Sequence, residues 1–406
     1  MNNVKSNLSN SRILVIGGGI GGLALALALQ RRGMPVAVFE RAPELGEVGA
    51  GVMLTPNATR ALEHLGVLGE VEANATLPGL TTVRHFQTGE AMSSTDLGEA
   101  FTKQHGHRYY CVHRVDIHQA LLKAVIKNDP QCVHTSHEFI DSMEIDGGVR
   151  AHFGNGKTVD GGLLVGCDGV RSVVRTKIGF QDGAKFTHNI AWRGLIPVED
   201  LPVHQRGPEI TIWSGPKRHV VEYTIRRGRI KNYVAIANSP AWEDEGWSKR
   251  SNIGAALREF EDWHQDVRAI IGATPVDTGY VWGLFDRDPL DHWSRGPLTL
   301  LGDAAHPMLP FLAQGAVHTI EDAVVLARCL EKYADVPTAL GRYDEVRRPR
   351  AHRMVKGAAE NTSRFHNPAL ADPDDAEAFV SREWQSQAIS DRYDWLFTYD
   401  AERVEI

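Results

Sequence analysis

The strongest constraint on the fold is a glycine turn that recurs at two distant places. Gly17-x-Gly19-x-x-Gly22 follows the apolar run Ile13-Leu14-Val15-Ile16 and opens an Ala- and Leu-rich segment that stops at Gly33. Consecutive apolar residues predict a strand covered on both faces, and the segment after the glycines predicts a helix over 20–32. Residues 35–39 predict the next strand, which completes a β-α-β unit. Glycines in such a turn let the chain bend tightly, let a pyrophosphate approach the backbone and let helix pack on strand. Far downstream, residues 298–301 predict another buried strand. It is followed by Gly302-Asp303-Ala304-Ala305-His306-Pro307, then by Gln314-Gly315 opening a helix that carries Glu321 and Asp322. One fingerprint alone points to a dinucleotide, NAD or FAD. Two glycine turns on separate strands point to one extended cofactor held at both ends, the pattern of a flavoprotein.

A third turn lies between them. Gly166-Cys167-Asp168-Gly169-Val170-Arg171-Ser172, with Arg175, follows a predicted strand at 163–166. An Asp-Gly turn there sets a carboxylate and backbone amides near phosphates, and Ser172 suits a helix cap. Glu40 closes the second strand at the spacing of a carboxylate that grips ribose hydroxyls. Glu47-x-Gly49-Ala50-Gly51 is a further glycine-rich turn, and Thr55-Pro56 predicts the start of a helix reaching about residue 65. Asp303 suits sugar-like hydroxyls. The amides at Gly315, Ala316 and Val317 open a helix whose N-terminus favours negative charge, as on a reduced flavin. Pro307 and Pro310 stiffen the loop between, and His306 is expected to be structural. Glu321 and Asp322 are equally readable as a solvated helical face.

The remaining pattern divides the chain. Residues 113–127 have helical spacing, and Asn155-Gly156 predicts the turn of a hairpin over 148–164. Short alternating runs between 189 and 284 predict an antiparallel sheet interrupted by a helix near 253–263. Helices are predicted over 315–330 and 336–361, while residues 365–406 show no clear pattern.

A chain of 406 residues fits two joined domains, and 42% hydrophobic with 23% charged residues is ordinary for a soluble enzyme. A net charge of −7 argues against nucleic acid as a partner. Cys111, Cys132, Cys167 and Cys329 form no C-x-x-C pair, which favours reduced thiols and a cytoplasmic location. The apolar run 13–29 is too rich in glycine for a membrane segment, and no other stretch is long enough to cross a bilayer.

The three turns, in this order, resemble the single-component FAD-dependent aromatic hydroxylases, with Cys167 in place of the usual Ala. The resemblance extends through Tyr110-Cys111-Val112-His113-Arg114-Val115-Asp116, through Ala191-Trp192-Arg193-Gly194-Leu195-Ile196-Pro197, and through Asp286-Arg287-Asp288-Pro289-Leu290. Within the family the chain looks closest to salicylate hydroxylases and 3-hydroxybenzoate 6-hydroxylases. The resemblance implies an α/β fold: a Rossmann-like FAD-binding domain of the p-hydroxybenzoate hydroxylase kind, with an inserted antiparallel-sheet substrate domain and C-terminal helices. The implied division gives 1–78, 109–188 and 286–364 to the FAD domain, 79–108 and 189–285 to the substrate domain, and 365–406 to a C-terminal segment.

It also implies roles. FAD is the cofactor and NADH or NADPH a transient reductant, with O2 and a small aromatic as substrates and a C4a-hydroperoxyflavin as the oxygen carrier. Gly17, Gly19 and Gly22 bind the cofactor. Glu40 holds the adenosine ribose, Arg41 and Arg114 line the FAD channel, and Asp168 sits by the pyrophosphate. Asp303 binds the ribityl or phosphate region, and Gly315, Ala316 and Val317 meet the flavin ring. His219 and Tyr223, four apart on one predicted strand, share a face and are the expected catalytic pair at the substrate phenol. Met53 stands where the hydroxynicotinate branch has histidine. Pro310 stands where the 3-hydroxybenzoate branch can carry glutamine, which tilts the expectation toward salicylate and decarboxylative hydroxylation. Val317-His318-Thr319 departs from the family's usual small or apolar stretch, and His318 is expected to point into helix packing. Arg226, Arg227 and Arg229 are expected to be solvated, with one of them able to attract a carboxylate. Hydroxylation of another phenol without decarboxylation, a flavin-binding sensor, and a nicotinamide-dependent reductase are the alternatives. The expected assembly is a monomer or homodimer, free of membrane and nucleic acid.

Overall fold

The computed structural model describes residues 11–46, 49–181, 183–242 and 249–406; Glu47 therefore lies outside the described residues. Ile13–Ile16 is the centre of a six-stranded sheet. Val36–Phe39 and Val133–His134 lie to one side, and Leu163–Gly166, Leu298–Leu300 and Ser294–Arg295 to the other. All neighbours are parallel except the short edge strand Ser294–Arg295. Every residue of Ile13–Ile16, Val36–Phe39 and Leu163–Gly166 is buried, as a parallel sheet covered on both faces requires. Helix Ile20–Gln30 is buried from Ile20 to Leu29, so it is a core helix with no solvent face. It packs against helices Gly315–Lys332 and Arg114–Asn128, which brings the last glycine turn beside the first.

The second sheet has eight strands, in the order Lys249–Arg250, Tyr280–Asp286, Lys185–Pro197, Ile230–Asn238, Arg218–Ile225, Ile210–Gly215, Leu80–His85 and Ala91–Asp96. The sequence predicted antiparallel pairing throughout, but Ile210–Gly215 runs parallel to Leu80–His85. The reason is topological: two hairpins from distant parts of the chain join edge to edge, and only their internal pairings are bound to be antiparallel. The helix predicted near 253–263 is two helices, Ile253–Glu259 and Gln265–Gly272. Each has its own cap: Asn252 accepts from the Ala255 amide and His264 from the Asp266 amide. The turn after Arg218–Ile225 leaves Arg227 and Arg229 exposed, as expected, while Arg226 is half-buried; Arg226 and Arg227 both have positive φ. Arg226 pairs with Asp116 at 2.9 Å and Arg227 donates to the Ala73 carbonyl at 2.6 Å.

Helix Val336–Phe365 continues past 361 with Pro349 inside it. Beyond it, where the sequence shows no pattern, are helices Pro373–Glu383 and Ser386–Phe397. The last residues return to the first sheet, where Glu402 pairs with Arg32 at 2.6 Å and the Ala401 carbonyl accepts from Arg328 at 2.8 Å. Among the described residues no helix is long and apolar enough to cross a membrane.

Candidate functional site

The first glycine turn is built so that only glycine fits. Gly17 has φ +108°, and a Cβ there would fall 2.4 Å from the Cys167 carbonyl oxygen. A Cβ on Gly22 would fall 1.9 Å from the Gly17 oxygen, and Gly19 is the N-cap of helix Ile20–Gln30. Glu40 braces this turn. Its carboxylate accepts from the Gly18 amide at 2.8 Å and the Ala42 amide at 2.9 Å. The half-buried carboxylate thus organises the loop as well as standing at the end of its strand. His118, which the sequence reading missed, bonds the Gly18 carbonyl at 2.8 Å. Its only sequence signal is a histidine on the inward side of an amphipathic helix. Arg41 is exposed beside Glu40, and Arg114 opens helix Arg114–Asn128 half-buried.

Asp168 and Asp303 sit at the ends of the adjacent strands Leu163–Gly166 and Leu298–Leu300. One oxygen of Asp168 accepts from the amides of Val173 and Val174, at 2.7 and 3.2 Å, while Ser172 caps the same helix. The other oxygen is shielded from solvent without a partner, and burial pushes the Asp168 carboxyl up. Asp303 is exposed in the turn Gly302–Ala304, where Gly302 has φ +66°.

Helix Gly315–Lys332 begins behind that turn. Thr55 stands at the N-cap of helix Pro56–His64, but its side chain bonds none of that helix's amides. Its hydroxyl donates to Asn57 at 2.7 Å and accepts from Gln314 at 3.0 Å, so helix Pro56–His64 is tied to the start of Gly315–Lys332. Gly315 and Ala316 are half-buried, and the first-turn amides have no earlier helical carbonyl to bond. Val317 is fully buried in the core, so its side chain is committed to packing.

Glu321 and Asp322 are not a solvated face: both are fully buried. Arg350 and Arg347 bond Glu321 at 2.9 and 2.8 Å, and Asn57 donates to it at 2.7 Å. Asp322 accepts from Arg347 at 2.7 Å, from His306 at 2.6 Å and from the Gly302 amide at 3.1 Å. Burial alone raises both carboxyls, but the guanidiniums and His306 outweigh it and hold them below the ordinary range. The network thereby fixes the Gly302-Asp303 turn on the helix. His306 is structural, as predicted. His318 is buried in the helix packing, with Nδ1 3.1 Å from Nδ1 of His306. His306, His318 and Asp322 offer atoms within 4.8 Å of one another, but Arg347 already neutralises Asp322, so they form an ion-pair network rather than a cation site.

The expected catalytic pair is on strand Arg218–Ile225, and both residues are buried. Nδ1 of His219 lies 2.7 Å from Nε2 of His366, and its ring meets Phe311 edge-on and Phe365 at a tilt. Burial, and then His366, pushes the His219 imidazole well below the usual histidine range. Tyr223 lies against the second glycine-rich turn: a Cβ on Gly51 would fall 2.7 Å from its ring. Burial raises its phenol well above the ordinary value, offset in part by Arg193. Arg193 stacks on Trp282 at 4.6 Å and pairs with no carboxylate among the described residues. Its Nε is shielded without a partner, and burial lowers the guanidinium to about 10. In the sequence Arg193 stands out only as an arginine inside the otherwise apolar stretch 190–197. Pro310 is exposed and opens the turn Pro310–Leu312, whose Phe311 touches His219.

Comparison with known proteins gives the same outline. Residues 10–358 match the FAD binding domain family. The chain is 36% identical to 3-amino-4-hydroxybenzoate 2-monooxygenase PtmB3 of Streptomyces platensis, over 98% of this chain and 99% of that one. It is 37% identical to 3-hydroxybenzoate 6-hydroxylase 1 of Aquipseudomonas alcaligenes, over 85% of this chain and 87% of that one. Among solved structures, Klebsiella pneumoniae HpxO complexed with FAD and uric acid superposes with a TM-score of 0.85 at 26% identity, covering 98% of both chains.

Proposed function

Because the chain belongs to the FAD binding domain family and is an FAD-dependent aromatic monooxygenase, we propose that it hydroxylates a phenolic benzoate and leaves the ring carboxylate in place. The observation that carries this reading is Arg193. A half-buried guanidinium, shielded at Nε, that pairs with no carboxylate among the described residues and lies beside the Tyr223 phenol suits a substrate bearing both an acid and a hydroxyl. The relatives at 36–37% identity are named for hydroxybenzoate substrates. The expectation of salicylate rested on Pro310, an exposed residue whose neighbour Phe311, not its own ring, touches His219.

FAD, reduced by NADH or NADPH, supplies activated oxygen from O2. The residues fit it. Backbone packs so closely at Gly17 and Gly22 that no Cβ fits, the kind of glycine turn whose amides a pyrophosphate can approach, and Glu40 and Arg41 would lie toward the adenosine. Arg114 and the unpaired oxygen of Asp168 serve the middle of the cofactor, and exposed Asp303 accepts from its sugar hydroxyls. The amides of Gly315, Ala316 and Val317 stabilise negative charge on the ring. Around the substrate, His219 and Tyr223 hold the phenolic oxygen, Arg193 holds the carboxylate, and Phe311 with Trp282 excludes water.

The test is a panel of hydroxybenzoates and amino-hydroxybenzoates, scored together for NADH and NADPH consumption, hydroxylated product, CO2 and H2O2. Coupled product without CO2 is the expected result. Stoichiometric CO2 would replace the reading with the decarboxylative one, and ligand binding without NAD(P)H oxidation would leave a sensor.

A further inference from the structure

We propose that His366, just past helix Val336–Phe365, fixes His219 as the tautomer protonated on Nε2, so that His219 donates a hydrogen bond to the substrate's phenolic oxygen rather than accepting its proton. The inference rests on the reading of the site as one that takes a phenol.

Nδ1 of His219 and Nε2 of His366 are 2.7 Å apart, which is hydrogen-bond distance and requires a single proton between the two nitrogens. The rings lie among Phe311 and Phe365, and among the described residues His366 is the one titratable group that bears on His219. Burial holds His366 at about 4 and His219 well below its usual value, so both are neutral near pH 7. A neutral pair has two polarities. If His219 donates, the second proton of the pair sits on Nδ1 of His366, and that nitrogen is shielded with no partner. If His366 donates, its Nδ1 is a bare lone pair. An orphaned buried N–H is the rarer and costlier defect, so the second polarity prevails. Nδ1 of His219 is then an acceptor, and its own proton is on Nε2, the one polar atom left for a ligand.

The chemical consequence follows. A donor at the phenolic oxygen favours its ionised form, and phenolate is the stronger nucleophile toward oxygen. Tyr223, raised by burial, stays protonated and donates as well. The substrate's proton leaves to bulk water on binding, and no buried imidazolium is formed. The backbone of His366 is anchored for this task, because its amide donates to Thr362 at 3.0 Å and its carbonyl accepts from Lys217 at 3.3 Å. His366 is a positioning residue, acting through His219.

Long-range proton–nitrogen NMR on 15N-histidine-labelled holoenzyme without substrate reads the tautomer directly, with His219 assigned by its loss in H219Q. Nε2 protonated and Nδ1 bare is the expected result; the reverse overturns the proposal, whatever the substrate proves to be. The ultraviolet spectrum of bound 4-hydroxybenzoate then reads the phenolate fraction. H366L should lower the phenolate-to-phenol ratio about tenfold, the worth of one hydrogen bond. H366Q, whose amide can donate to Nδ1, should restore most of it. FAD content and melting temperature identify a variant that failed to fold. A folded H366L with the wild-type ratio, or an H366Q no better than H366L, overturns the proposal.

Discussion

Thr319 fills the space that Gly21 leaves open: a Cβ on Gly21 would fall 2.3 Å from its Cγ2. The same side chain faces the other turn, where a Cβ on Gly302 would fall 2.7 Å from its Oγ1, and the hydroxyl donates to the Gly315 carbonyl at 2.9 Å. This departure from the family's usual small or apolar stretch is therefore a wedge between the two glycine turns. Gly21→Ala should destabilise the protein by about 1–3 kcal/mol through overpacking. Thr319→Ala in the same chain should recover much of the loss, since it removes the clashing atoms. Thermal or urea melts of the two single variants and the double variant measure the coupling, and strict additivity would show that the wedge is unimportant.

Arg347 is the second fixed point. Arg347→Met leaves Glu321 and Asp322 buried with less positive charge, which should cost about 3–5 kcal/mol near pH 7. The pH dependence has a definite sign. In the parent both carboxyls are depressed, so their contribution is present above the ordinary carboxylate range and lost as pH falls through the depressed values. Without Arg347, burial pushes the carboxyls upward and protonation relieves the defect. The gap between variant and parent should narrow from pH 7 to pH 4.5 in thermal melts.

The reach of the sequence differs between these two features. Buried parallel strands and glycine turns are local signals, and Ile13–Ile16, Leu163–Gly166 and the strand before Gly302 were all legible. Asp322 was not, because its partners come from two other stretches of chain, the Gly302 amide and His306 from one turn and Arg347 from a later helix. Nothing in the alternation of Ile210–Gly215 announces that its far edge meets Leu80–His85 in parallel. At the candidate site, the resemblance together with their spacing on one strand singled out His219 and Tyr223, and both are buried on that strand. His366 and Arg193 were not singled out, because each earns its place only through tertiary contacts with His219 and Trp282.

Asp303 is exposed at a strand end, and its role in cofactor retention is open to a direct test. Asp303→Ala should weaken FAD binding by about tenfold or more, as expected for loss of a charged hydrogen bond. The ratio of flavin absorbance to protein absorbance after gel filtration measures it, with unchanged melting of the apoprotein as control. Full retention of FAD would remove Asp303 from the cofactor site.

Tyr223→Phe and His219→Ala should each slow coupled hydroxylation by about tenfold or more, the worth of one hydrogen bond to the phenolic oxygen. FAD content should be unaffected. Product and H2O2 must be measured together, since NADH oxidation alone can persist uncoupled. Wild-type coupling in both variants would place the phenol elsewhere.

Arg193→Met should raise KM for a phenolic benzoate by about 10- to 150-fold, the equivalent of 1.5–3 kcal/mol for a charge-assisted hydrogen bond. A phenol lacking the carboxylate should show little change. Equal losses on both substrates would mean that Arg193 supports the fold of the pocket through Trp282 rather than reading an acid.

The order of the first sheet also governs how the protein is made. Ile13–Ile16 must wait for Leu163–Gly166 on one side, and that strand must wait in turn for Leu298–Leu300. At about 5–20 residues per second, the interval between Ile13–Ile16 and its partner Leu163–Gly166 is on the order of 8–30 s. For that time the nascent β-α-β unit presents an apolar strand with one unpaired edge, the kind of surface through which chains associate. The threading that sets three distant stretches of chain side by side in one sheet therefore leaves its earliest strand exposed during translation, when aggregation competes most directly with folding.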